Sequence, residues 1–173
     1  MNKLENIVLI GFMATGKSSV AKLLSKKLNM EIIDTDIYIE QKENMSISEI
    51  FNKKGEEYFR DLEKQSLEIL SNKKNIILST GGGIISNDQN IELLRKIGKV
   101  VWLKARTDTI IRNLKKSKIK RPLLMVENKE QKIESLLKSR LDKYSRCSHF
   151  EIDIDDKNID EVVSNILLSL PKI

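Results

Sequence analysis

Eight residues constrain this chain more than any other stretch. Gly11-Phe12-Met13-Ala14-Thr15-Gly16-Lys17-Ser18 fits the pattern G-x-x-x-x-G-K-[ST] in full. The apolar run Ile7-Val8-Leu9-Ile10 precedes it, and an amphipathic helical pattern follows from about Lys17 to Leu28. The motif's chemistry requires that strand–loop–helix order. Successive backbone N–H groups must wrap around phosphate oxygens, and side chains at Gly11 and Gly16 would obstruct them. The helix that follows points its positive end at the same anion. Lys17 adds a full charge at the β- and γ-phosphates, and the Ser18 hydroxyl is a Mg²⁺ ligand. The motif therefore predicts nucleotide binding, with Ala14, Thr15, Gly16, Lys17, Ser18 and Ser19 as its ATP contacts.

The rest of the chain alternates apolar runs with helical patterns. Glu31-Ile32-Ile33, Ile76-Ile77-Leu78, Val100-Val101-Trp102-Leu103 and residues 150–154 read as further strands. Helices are expected from Ser46, where Ser46 and Glu49 have capping-box spacing, and over 56 to about 70. Others are expected over 88–97, 107 to about 114, 129–144 and 159–170. Continuous apolar strands separated by helices indicate a parallel sheet covered on both faces. Trp102 belongs in that core. No internal repeat or linker interrupts the 173 residues, which suit one domain with a core of its own.

Composition removes several function classes. The formal charge of +6 invites a nucleic-acid reading, but the lysines are spread among acids and aromatics make up only 5%. Single-strand binders interleave stacking aromatics with basic residues. The N-terminal apolar run is far too short to span a membrane, and no cleavage-site pattern follows it. Cys147 is the one cysteine, so no internal disulfide can form, which fits a reducing cytoplasmic setting. His149 stands two residues away without an evident orienting partner, so Cys147 reads as an ordinary thiol near a strand edge.

Two further anchors follow strands. Asp34-Thr35-Asp36 closes the second. In an extended segment these carboxylates point in similar directions, one toward Mg²⁺ through water and one toward an acceptor hydroxyl. The competing reading is an acidic helix start, since Asp is a good N-cap. Gly81-Gly82-Gly83 follows the third strand, where a small molecule can lie directly against backbone. The segment Lys115-Lys116-Ser117-Lys118-Ile119-Lys120-Arg121-Pro122 is dense in like charge. It is either a solvated loop or a flap that orders when phosphates arrive.

Taken together, these residues resemble the shikimate kinase family, within the nucleoside-monophosphate-kinase-like P-loop group. The resemblance spans nearly the whole chain. It rests on Gly11 to Ser18, Asp34-Thr35-Asp36, Phe59-Arg60-Asp61-Leu62-Glu63, Gly81-Gly82-Gly83, Arg121-Pro122-Leu123-Leu124, and Arg140 with Tyr144. It implies a five-stranded parallel sheet of order 2-3-1-4-5. It also implies a single domain over 1–173, with an acceptor-binding segment at about 34–62 and a lid at about 114–126. Lys17, Asp36 and Arg121 resemble the catalytic set. Asp36, Arg60, Gly81, Gly82 and Arg140 resemble the acceptor pocket, and Glu63 the acid that positions Arg60. Arg112 and Arg121 join the ATP contacts, while Ser18 and, through water, Asp34 serve Mg²⁺. The implied activity transfers the γ-phosphoryl group of ATP to the 3-hydroxyl of shikimate, in aromatic amino-acid biosynthesis. The implied enzyme is a cytoplasmic monomer with neither a nucleic-acid nor a membrane partner. A gluconate or nucleoside-monophosphate kinase is the nearest rival, and a non-catalytic nucleotide-binding regulator the rival of another class. The sequence departs from the family at Ala14-Thr15, where a glycine followed by a small residue is usual, and in the lysine density of the lid.

Overall fold

The computed structural model describes residues 5–116 and 128–171. Five strands, β1 (Ile7–Ile10), β2 (Glu31–Asp34), β3 (Ile76–Ser79), β4 (Lys99–Lys104) and β5 (Phe150–Asp153), pair in parallel in the order β2-β3-β1-β4-β5. The helices are α1 (Lys17–Leu28), α2 (Thr35–Glu43), α3 (Ile47–Leu70), α4 (Asp88–Ile97), α5 (Thr107–Lys116), α6 (Lys129–Cys147) and α7 (Ile159–Ser169).

The sheet is covered on both faces because its central strands are apolar on both. Along β1, Ile7 and Leu9 pack with Val20, Leu24, Val163 and Ile166 of α1 and α7. Val8 and Ile10 point the other way, into a core shared with α3, α4 and α6. The same alternation splits β4, where Val101 and Leu103 face α1 and α7 while Val100 and Trp102 face the opposite layer. Trp102 is buried as expected and stacks on Tyr144 of α6, with centroids 5.5 Å apart.

Local signals explain the element ends. Ser46 and Glu49 form the expected reciprocal capping box. Gly55, at φ 86° and ψ 170°, breaks α3 near where a second helix was expected to begin. Beneath the sheet, buried Asn6 donates to the carbonyls of Lys73 and Ile97 and accepts from Ile76 N–H. It thus ties three chain segments together at the end of the sheet away from the phosphate motif.

Two expectations need refinement. Cys147 lies in the last turn of α6, fully buried, with its thiol pushed up to about 12 by burial. A thiol held protonated in an apolar setting is inert, not a nucleophile. His149 is an intra-fold acceptor: its Nδ1 takes the Val100 N–H at 3.0 Å. Among the described residues no helix is long and apolar enough to cross a membrane.

Candidate active site

The site lies where β1, β2 and β3 end, the position at which open parallel sheets collect ligand groups. A cavity of about 830 Å³ is lined by the phosphate loop, Asp34, Asp36, Arg112 and the segment after β5. A smaller pocket of about 90 Å³ holds Phe51, Phe59, Arg60, Glu63, Gly83 and Arg140. Met13, Asp36, Gly81 and Gly82 line both, so the two spaces adjoin along these four residues.

The phosphate loop has the conformation its glycines permit. Gly16 caps α1 at φ 83°, a left-handed geometry that glycine adopts without cost. Gly11 leaves no room for a side chain, since a Cβ there would sit 2.7 Å from Leu103 O. Ala14 also has positive φ, at 60°, the residue where the sequence departs from the family's usual glycine. Within the loop, Thr15 Oγ1 donates to Phe12 O, and Lys17 Nζ donates to Gly11 O and Phe12 O at 2.8 Å each. These bonds hold loop carbonyls on side chains.

Asp34 corrects the expectation of an extended acidic pair. The backbone is extended at Asp34, but α2 begins at Thr35, so Asp36 projects from the first turn of a helix. Asp34 meets both readings at once. Its Oδ1 N-caps α2 by accepting from Asp36 N–H and Ile37 N–H, while its Oδ2 lies 3.3 Å from Ser18 Oγ. A carboxylate and a hydroxyl, both hard oxygen donors, thus face each other at the loop. That set suits Mg²⁺, which takes few protein ligands and keeps water and phosphate for the rest.

The glycine run proves steric. A Cβ on Gly81 would lie 2.7 Å from Asp36 Oδ1, and one on Gly83 would lie 2.7 Å from Arg60 Nη1. Side chains there would occupy the space of the site's own carboxylate and guanidinium. The Gly82 carbonyl is turned toward α6, where Tyr144 Oη and Arg140 Nη1 both donate to it.

Arg60 and Arg140, 80 residues apart in sequence, come to one pocket. Arg140 is only 6% exposed, and its guanidinium lies 5.6 Å from the centre of the Phe12 ring. Arg60 donates to Glu63 at 2.7 Å and to Glu56 at 2.9 Å. Glu63 is 1% exposed, and its Oε1 has no hydrogen-bond partner among the described residues. Burial pushes its carboxyl up to about 7; Arg60 pulls down against this, the Asp36 charge adds to it, and Arg140 opposes it.

This raised value has a consequence for stability. The folded protein holds the Glu63 proton over a range where the unfolded chain, near 4.5, has released it. The group's contribution is therefore greatest at and below about pH 4.5 and declines as pH rises toward about 7. Urea denaturation of the protein and of Glu63→Gln across that window is expected to show the wild-type advantage shrinking as pH rises. A difference independent of pH would contradict it.

The other expected residues fall as follows. Ser19 and Arg112 line the large cavity; Arg112 lies 3.4 Å from Thr109 Oγ1 and 3.7 Å from Asp156 Oδ1. Arg121 and most of the expected lid lie outside the described residues. Sequence reasoning missed Asn113, Asp156, Lys157 and Asn158, which also wall the cavity. The last three follow β5, and the strand-end rule applied to that strand would have found them.

Comparison with known proteins bears on the family and the fold. The shikimate kinase family model matches residues 13–171. The chain is 46% identical over 164 residues to a shikimate kinase of Thermoanaerobacter pseudethanolicus, covering 95% of each. It is 45% identical over 170 residues to one from Caldanaerobacter subterraneus, covering 98% of each. Among solved structures, a shikimate kinase from Acinetobacter baumannii in complex with shikimate superposes with a TM-score of 0.90 at 38% identity, covering 95% of this chain and 91% of that one. With likeness extending over nearly the whole length in both sequence and fold, the chain belongs to the shikimate kinase family.

Proposed function

We propose that this enzyme passes the γ-phosphoryl group of ATP in line to the 3-hydroxyl of shikimate, at the junction where Asp36 joins the two pockets. The lining the two pockets share, Asp36 included, carries this reading, because the γ-phosphoryl group and the acceptor hydroxyl must come together in line. ATP takes the large cavity, with its phosphates on residues 14 to 19. The Lys17 ammonium donates to the Gly11 and Phe12 carbonyls, and a charged phosphate is a stronger acceptor than either. Lys17 then neutralises charge spreading over the transferring group.

Shikimate takes the small pocket, which the acceptor segment at about 34–62 walls together with Gly81 to Gly83 and Arg140. Its planar carboxylate matches the guanidinium forks of Arg60 and Arg140, and Gly81 and Gly82 bring backbone close to the ring. Asp36 orients the 3-hydroxyl and is its proton acceptor. With a loose transition state, that orientation outweighs basicity. Glu63 holds Arg60 in place. Ser18 directly, and Asp34 through water, would hold Mg²⁺, which when bound supplies charge neutralisation at the phosphates. Arg121, in a lid at about 114–126, and Arg112 add cationic contacts to ATP. The enzyme is proposed to act as a cytoplasmic monomer.

Acceptor-dependent ADP release tests the proposal. Shikimate is expected to stimulate release far more than quinate, gluconate or AMP. AMP as the best acceptor would make the chain a nucleotide kinase and remove the roles of Arg60 and Arg140.

A further inference from the structure

Helix α5 presents Thr109, Arg112, Asn113 and Lys116 to the large cavity, a spacing of i, i+3, i+4 and i+7 that defines one helical face. One of these does more than line it. Asn113 Nδ2 donates to Ala14 O at 2.9 Å, across 99 residues of sequence. The nitrogen faces the carbonyl because an amide oxygen there would oppose another acceptor.

Ala14 is the loop residue with positive φ that is not glycine. A Cβ disfavours that left-handed geometry, so the loop has a standing tendency to relax at this residue. A peptide unit is planar, and fixing its C=O also fixes the following N–H. Holding Ala14 O therefore sets the direction of Thr15 N–H, one of the donors with which this motif cradles phosphate. The Gly11 and Phe12 carbonyls are held by Lys17 and Thr15 from within the motif. Ala14 O is held from another element.

We propose that Asn113 is a positioning residue of the phosphate loop, clamping the left-handed Ala14 peptide so that Thr15 N–H stays aligned for the β-phosphate of the nucleotide. This rests on the kinase reading above. Asn113 touches the loop and acts through it, so its effect falls on phosphate binding and spares the acceptor pocket.

The test uses four variants, one of them the double variant Ala14→Gly with Asn113→Ala, and calorimetric titration by ADP and, separately, by shikimate. Asn113→Ala is expected to weaken ADP about threefold to tenfold, the range for one lost hydrogen bond, and to leave shikimate affinity unchanged. Asn113→Asp keeps the shape but turns an acceptor toward Ala14 O, so it is expected to weaken ADP at least as much as alanine does. In Ala14→Gly, where positive φ is no longer costly, the penalty of Asn113→Ala is expected to shrink. A packing role predicts a different pattern: Asn113→Ala leaves ADP affinity unchanged, or ADP and shikimate weaken together with a lower melting temperature. Either outcome overturns the proposal, as does an equal penalty in both backgrounds. Wild-type turnover of shikimate, run alongside, separates failure of this inference from failure of the kinase reading.

Discussion

Lys17→Ala is expected to lower kcat by at least about 10²–10³-fold while the protein stays folded. Lys17 is 8% exposed, and its ammonium lies on the carbonyls of Gly11 and Phe12 at the rim of a cavity of about 830 Å³. Phe12 O keeps the Thr15 hydroxyl as a donor when the ammonium is removed, and Lys17 belongs to none of the hydrophobic core clusters. The loss appears in the transition state, where charge spreads over the transferring oxygens and a cation already in place needs no reorganisation. Shikimate affinity in the binary complex is expected to be unchanged, because Lys17 does not line the smaller pocket. A coupled assay for ADP release, with circular dichroism to verify folding, measures both. Near-normal turnover by a folded Lys17→Ala protein would falsify the assignment of the phosphate loop.

Arg140→Lys is expected to weaken shikimate about tenfold to a hundredfold while leaving nucleotide affinity nearly unchanged. The size follows from one charge-assisted hydrogen bond to a carboxylate, worth roughly 1.5–3 kcal/mol. Lysine keeps the charge but loses the fork that meets a planar carboxylate at two points. Arg140 suits this test better than Arg60. Arg60 is also the ion-pair partner of buried Glu63, so changing it disturbs the pocket wall along with the ligand contact. Arg140 donates to the Gly82 carbonyl at 3.3 Å, an acceptor it shares with Tyr144, so that carbonyl keeps a donor when the guanidinium is lost. Calorimetric titration with shikimate and with an ATP analogue decides the matter. Loss of nucleotide affinity instead would move the acceptor pocket away from Arg140 and withdraw the main physical support for shikimate at this place.

The sequence alone determined whatever is written in neighbouring residues. The phosphate motif, the alternation of apolar runs with helices, the capping box at Ser46 and the helix break near Gly55 each depend on a few positions in a row. Backbone geometry translates such patterns directly. Sheet order and the pocket arginines were legible only through resemblance to a family, because taken singly Arg60 and Arg140 read as surface charges. Tertiary structure decided the rest. Asp34 is cap and loop partner together because β2 ends beside α1, which brings Ser18 within 3.3 Å. Glu63 holds its proton to about pH 7 because the fold buries its carboxyl away from water, with the Asp36 charge adding to the shift. Asn113 reaches Ala14 because α5 packs beside a loop 99 residues earlier. Desolvation and pairing of this kind depend on what the fold brings within a few ångströms, and no local pattern in the chain records that distance.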